Sequence, residues 1–271
     1  MPDFVAESFK IEDTFEYILS IQVSLNGFSF SVLRPVDNTI LVFKSTTLKI
    51  SSDKLIARRF SEWMNSEELL QKTYKKTRVI ILSDKFTLIP KSLHRNNLNE
   101  ELAHLLFKEG SKLQFAENLV EKINAKLLFT LPDGINKIIS QTIGECEIMH
   151  PVKSIINNFP ESNEKNTLVL LFNNNTLFLA LGKNKQLLLA NSFTINHSND
   201  VVYYVLTALK QLEVPTLNTK LFYAGKSVYA NDTHKNLQKY FASTSLFLPN
   251  KFEHESKLSE ELIAENIALY I

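Results

Sequence analysis

One order of secondary-structure signals occurs twice along this chain, and few folds are built that way. From Tyr17, the residues YILSIQVSLNGFSFSVLRPVDNTILVFKS read as three strands. Ile21, Val23 and Leu25 alternate with polar residues, as do Phe28, Phe30 and Val32, which is the two-residue period of a sheet. Asn26-Gly27 between them predicts a type I′ hairpin turn, because both residue types accept the positive φ that this turn demands. Pro35-Val36-Asp37-Asn38 predicts the next turn. SSDKLIARRFSEWMNSEELLQ then changes to helical spacing, with Ser51 or Ser52 as cap, and Leu55, Phe60 and Trp63 toward a core. Asn65 is placed to cap a continuation through Leu69 and Leu70. TRVIILS, residues 77–83, predicts a short buried strand.

The same order returns in TLVLLF, NTLFLAL and KQLLLANSFTI, separated by Asn173-Asn174-Asn175 and by Gly182-Lys183-Asn184. Ser198-Asn199-Asp200 predicts the cap of an amphipathic helix, VVYYVLTALKQL, and after Pro215 comes another short strand, TKLFYAG. From Asn26 to Asn174 the offset is 148 residues, and the helices and closing strands nearly keep it. The chain therefore carries two β-β-β-α-β units, recognisable by order and spacing. The intervening stretch predicts a helix at Asn99–Phe107, one or two strands in NLVEKINAKLLFTLP, a helix capped by Asp133, a strand in ECEIMH, and a helix over Pro151–Asn158. Polar PESNEKN, Pro160 to Asn166, marks the expected boundary between an N-terminal unit, 1–160, and a C-terminal unit, 161–271. The tail LSEELIAENIALYI predicts a helix or terminal strand.

Two tandem β-β-β-α-β units resemble the actin-like ATPase (ribonuclease H-like) fold, an α/β architecture of mixed sheets whose halves flank a nucleotide cleft. The chain, with stretches such as DKFTLIPKSL, is also similar to an uncharacterised bacterial family assigned that fold. More distantly it is similar to the cytoplasmic platform proteins of type II secretion and type IV pilus machinery. The resemblance implies an Asp-x-Gly in the first hairpin, to manage magnesium and approach the phosphates. The matching residues are Ser24-Leu25-Asn26-Gly27, with no aspartate and the glycine one place late. The second phosphate hairpin falls on Asn173-Asn174-Asn175, neutral amides in place of a carboxylate. Paired glycines at the adenosine site are reduced to Ala224-Gly225. Ser24, Asn26, Gly27, Asn173, Asn175, Ala224 and Gly225 are therefore vestigial candidates for a nucleotide site, and the three asparagines read as a turn.

Composition narrows the function further. The chain has six glycines in 271 residues, where ordinary usage of about 7% gives roughly nineteen. Neither G-x-G-x-x-G nor G-x-x-x-x-G-K-[ST] occurs, so the usual phosphate-cradling loops are missing. With 30 Lys and Arg against 29 Asp and Glu, the net charge of +1 gives no general attraction to nucleic acid. The single cysteine, Cys146, lies between Glu145 and Glu147, which disfavour a thiolate. Six histidines show no metal-binding spacing, and no G-x-S-x-G is present. His150 reads as a strand-to-helix junction and Asp84 as a turn after a strand. Phe28, Phe30 and Phe43 read as sheet core, because no basic residues interleave them. No basic, apolar leader opens the sequence and no apolar run reaches ~20 residues, so a cytoplasmic protein with no transmembrane segment is expected.

The expected function is a non-catalytic protein-interaction or scaffold module without cofactor. The alternative is a divergent nucleotide-binding protein, ATPase or kinase, using ATP and magnesium with acids such as Asp84 or Asp200. An unidentified protein partner is expected, or self-association into a homodimer.

Overall fold

The period-2 runs at the start of the chain become a sheet. In the computed structural model, which describes residues 4–46, 48, 50, 52–94, 98–107, 114–159, 166–184, 186–248, 253–254, 258–266 and 269, the first unit is built from β1 (Phe4–Val5), β2 (Ile18–Ser24), β3 (Gly27–Arg34), β4 (Thr39–Ser45), α1 (Asp53–Ser66) and β5 (Lys76–Ile81). A second, smaller sheet follows: β6 (Phe86–Pro90), α2 (Leu98–Phe107), β7 (Gln114–Val120) and β8 (Ala125–Leu131). Next come α3 (Ile135–Thr142), β9 (Glu147–Met149) and α4 (Pro151–Asn157). The second unit comprises β10 (Asn166–Asn173), β11 (Thr176–Lys183), β12 (Gln186–Thr194), α5 (Ser198–Gln211) and β13 (Thr219–Lys226). It continues into α6 (Ala230–Leu237) and β14 (Ser243–Leu246), before β15 (Glu253–His254) and α7 (Glu260–Glu265).

The β-β-β-α-β order is thus present twice, as β2-β3-β4-α1-β5 and β10-β11-β12-α5-β13. The first sheet runs β1-β4-β3-β2-β5-β9, with β15 on β4, and the second runs β12-β11-β10-β13-β14. In each, an antiparallel meander is joined to parallel strands: β2 pairs β5 in parallel, and β10 pairs β13 in parallel. The two mixed sheets make the chain α/β. The smaller sheet, β6-β8-β7, is antiparallel throughout.

The unbroken apolar run of β10 has a direct cause. One of its faces, with Val169 and Leu171, joins the main core together with Phe178, Ala180 and α4 residues Val152, Ile155 and Ile156. The other, with Leu168, Leu170 and Phe172, packs under α5 against Val201, Val205 and Leu209. A sheet covered on both faces has no position for a polar alternation. In the first unit Phe28 stacks on Trp63 with ring centroids 5.3 Å apart, and Phe60 meets Phe28 edge-on. Phe28, Phe30 and Phe43 are core residues as read.

Several local readings are corrected. The first hairpin turns through Leu25 and Asn26, with Ser24 paired to Gly27, and only Gly27 takes positive φ, +121°. It is therefore not type I′. Leu55 is exposed, and Ile56 takes the core position of the first turn of α1. The helix runs through Asn65 without a break, and Ser52 precedes it without a side-chain capping bond. Gly134, not Asp133, is the N-cap of α3. The cap of α5 is His197: its ring accepts from Asn199 N, while Asp200 Oδ2 accepts from the N–H groups of His197 and Asn196. The expected boundary lies largely on 160–165, outside the described residues. Sheet pairing does not follow that division to the end of the chain. β15 pairs β4, and Ser31 Oγ donates to the Leu269 carbonyl, so the C-terminal segment packs on the first sheet.

Candidate functional site

Because β2 is parallel to β5 and β10 to β13, the strand ends that carry the two hairpin turns lie at the carboxyl edges of their sheets, where α/β folds place ligands. All seven vestigial candidates lie at these two hairpins and on the strand beside the second. Asn175 is at the exposed tip.

Ser24 is buried and turned back on its own hairpin. Its hydroxyl donates to the Gly27 carbonyl at 3.1 Å and accepts from Asn26 N at 3.2 Å. The Asn26 carboxamide leaves that turn and donates from Nδ2 to Oδ1 of Asn173 at 3.2 Å. Two turns that lie 147 positions apart in sequence are thereby hydrogen-bonded directly to each other. In the second hairpin Asn174 takes φ +48°, its N–H donates to the Lys226 carbonyl at 2.7 Å, and its carbonyl accepts from Ser227 Oγ at 2.6 Å. The Asn175 carbonyl accepts from Ile195 N at 2.7 Å. These particular turn donors and acceptors are spent within the protein.

Ala224 is in the core rather than at a surface. Gly225 pairs with Phe172 across β13 and β10 at φ +81°, and a Cβ there would stand 2.8 Å from Phe172 N and C and nearer still to its carbonyl oxygen. Close backbone approach accounts for this glycine without any ligand.

Of the two acids that a catalytic alternative would borrow, Asp200 has its carboxylate engaged elsewhere, while the contact shown for Asp84 is through its backbone. Asp200 holds the capping box of α5. Asp84 accepts at its backbone carbonyl from Ser192 Oγ, a contact between the two halves. Glu265 pairs with Lys226 at 3.2 Å. Behind the hairpins His150 is fully buried against Phe86, Phe129 and Phe178. Its Nε2 lies 2.7 Å from the Ser83 carbonyl and its Nδ1 accepts from Val152 N at 3.3 Å, so it caps α4. Burial lowers its pKa to about 4, leaving a neutral ring that donates to Ser83. The aromatic residues of β6, β8 and β11 thus fill the space behind the hairpins around an uncharged imidazole.

At the opposite end of the first sheet, by the start of β9, an open depression of about 670 Å3 is lined by Gln114, Ile139, Ser140, Cys146 and Ile148 among others. Burial pushes the Cys146 thiol up, so desolvation, rather than the flanking glutamates, keeps it protonated. Among the described residues no group of three or more His, Cys, Asp or Glu is placed to hold a metal ion, and no helix is long and apolar enough to cross a membrane.

A family described as "Protein of unknown function (DUF3822)" matches residues 6–244. The chain belongs to the DUF3822 family. Curated proteins give no sequence match. Among solved structures, a Bacteroides thetaiotaomicron protein of unknown function with an actin-like ATPase fold is 21% identical, covering 97% of this chain and 98% of its own, with a TM-score of 0.82. A chain of the PilM–PilN type IV pilus biogenesis complex is 11% identical, covering 95% of this chain and 97% of its own, with a TM-score of 0.57. The DUF3822 chain therefore has the actin-like ATPase fold. The Asn26–Asn173 bond was not readable in the sequence, because nothing local to either turn signals a partner so distant along the chain. The His197-x-x-Asp200 capping box was readable in form, but histidine is not a usual cap.

Proposed function

We propose that this chain is a non-catalytic interaction module that keeps the actin-like architecture and uses its nucleotide cleft as an internal joint. The observation that carries this reading is the direct bond between Asn26 and Asn173, which ties the two hairpins together where phosphates would have to enter. A magnesium nucleotide needs oxygen ligands of adequate charge and backbone donors facing the phosphates. The candidate residues supply neutral amides instead, and the N–H groups of Asn26 and Asn174 are already bonded to Ser24 and Lys226. These residues do not fit Mg-ATP, and no catalytic step is assigned through it. The PilM–PilN complex supports the reading in a general way, since a chain of like fold there assembles with another protein. The low cysteine content favours a reducing compartment such as the cytoplasm.

The test is magnesium-dependent ATP turnover by the purified chain. Turnover below about 0.1 s⁻¹, two decades under a median enzyme, agrees with the proposal, and a faster rate overturns it. Thermal stabilisation by excess nucleotide without turnover would replace it with a binding-only cleft.

A further inference from the structure

We infer that this protein forms a twofold dimer by antiparallel pairing of β12 with the β12 of a second copy. Strand β12 is an edge of the second sheet, and none of the described strands pairs with its outer side. It spans nine residues, Gln186–Thr194, without a charge or a proline. Natural sheets blunt such edges with lysine, proline or short length, because unpaired N–H and C=O groups invite another strand. Within these nine residues the only blunting device is a bulge at Leu187–Leu188, which leaves 189–194 regular.

The hydrogen-bonding phase is set by Ile195, whose N–H points inward to Asn175. By alternation Asn191 and Phe193 also bond inward, so Ala190, Ser192 and Thr194 direct their N–H and C=O groups outward. The Ser192 N–H donates to Oδ1 of Asn191 at 2.9 Å, a local bond that pairing exchanges for one between strands. The sequence around Asn191 reads Leu-Ala-Asn-Ser-Phe, apolar, small, polar, small, apolar, the same in both directions. An antiparallel twofold centred on Asn191 therefore pairs Ala190 with Ser192 of the other copy in both hydrogen-bonded positions. It also sets Leu189 beside Phe193 and Asn191 beside Asn191 in the closer, non-bonded positions. No like charges meet. This self-complementarity, apolar beside apolar with no charge opposed, is what an isologous interface asks of a single patch, and it is why a second copy is the occupant. On the same side of the sheet, Phe193 stacks on Tyr204 with centroids 4.4 Å apart, and neighbouring Tyr203 is 65% exposed, an aromatic shoulder along the seam.

The dimer does not depend on the state of the cleft, so its test is separate. Light scattering on the purified chain at about 50 μM should give twice the chain mass. Ala190→Pro removes an outward N–H without touching the β11 ladder, and should weaken association at least tenfold, while Val36→Lys on a distant turn should not. Should the proline variant misfold, Asn191→Cys in a Cys146→Ser background decides. The thiol introduced at position 191 lies opposite its own copy at a separation suited to a disulfide, so oxidation should yield a covalent dimer, whereas Thr194→Cys, opposite Leu188, should not. A monomeric wild type, a dimer indifferent to Ala190→Pro that does not cross-link through Asn191→Cys, or an open-ended oligomer would each overturn the inference.

Discussion

Replacing Gly225 by alanine separates the two meanings this glycine can have. As a remnant of an adenosine site it would matter to a ligand, whereas as a packing glycine it matters to the fold. Its φ of +81° costs an alanine about 1–2 kcal/mol by itself. The new Cβ would also meet the Phe172 backbone at 2.8 Å from N and C, inside the 3.0 Å that Cβ contacts respect. Both strands are held by the β10–β13 ladder, so neither can yield cheaply, and overpacking of this kind adds about 1–3 kcal/mol. The sum is about 2–5 kcal/mol. Gly144 is the matched control: its φ is +79° and nothing lies within 4 Å of its Cβ position, so Gly144→Ala measures the backbone cost alone. Urea denaturation of both variants should show Gly225→Ala about 1–3 kcal/mol less stable than Gly144→Ala. In thermal melts, at roughly 2–4 °C per kcal/mol, it should fall about 10 °C below wild type. Equal losses of about 1 kcal/mol in the two variants would refute the packing argument and return Gly225 to a ligand surface.

The buried His150 predicts a pH dependence. A folded pKa of about 4 lies below the unfolded value of about 6.5, so its contribution is full above pH 6.5 and is lost as pH falls toward 4. The loss is at most about 3 kcal/mol, and urea midpoints across that range should fall more steeply for wild type than for His150→Leu; identical slopes would count against it. Asp200→Ala removes the carboxylate that accepts from Asn196 N and His197 N, and should cost about 1 kcal/mol in chemical denaturation. A change under about 0.3 kcal/mol would mean that the capping box does not hold α5.

Much of this fold was legible because its signals are local and periodic. Ile21, Val23, Phe28 and Phe30 alternate, and the run around Val169 is apolar throughout because both faces of β10 are covered. Turn chemistry was less reliable. Asn26-Gly27 carries the strongest hairpin dipeptide, yet the glycine serves the first position of β3, where a Cβ would meet the Thr46 carbonyl and Leu48 N. Helix caps were misplaced by one residue at Ser198 and at Asp133, since a side chain's capping ability does not say whether the backbone places it there. The pairing of β15 with β4 was illegible, because two residues of strand far from their partner leave no period to read. The same holds for the cleft: missing carboxylates were visible in the sequence, but the bond that joins Asn26 to Asn173 needed the fold to bring two turns together.

The most direct test of the central claim is a calorimetric titration of the purified chain with Mg-ATP. With Asn26 and Asn173 bonded to each other and no carboxylate at either turn, the account predicts no saturable heat up to about 1 mM nucleotide, an affinity weaker than about −4 kcal/mol. Saturable binding with a Kd below about 100 μM, abolished by Asn26→Ala or Asn173→Ala, would contradict it and make the two hairpins a working phosphate clamp.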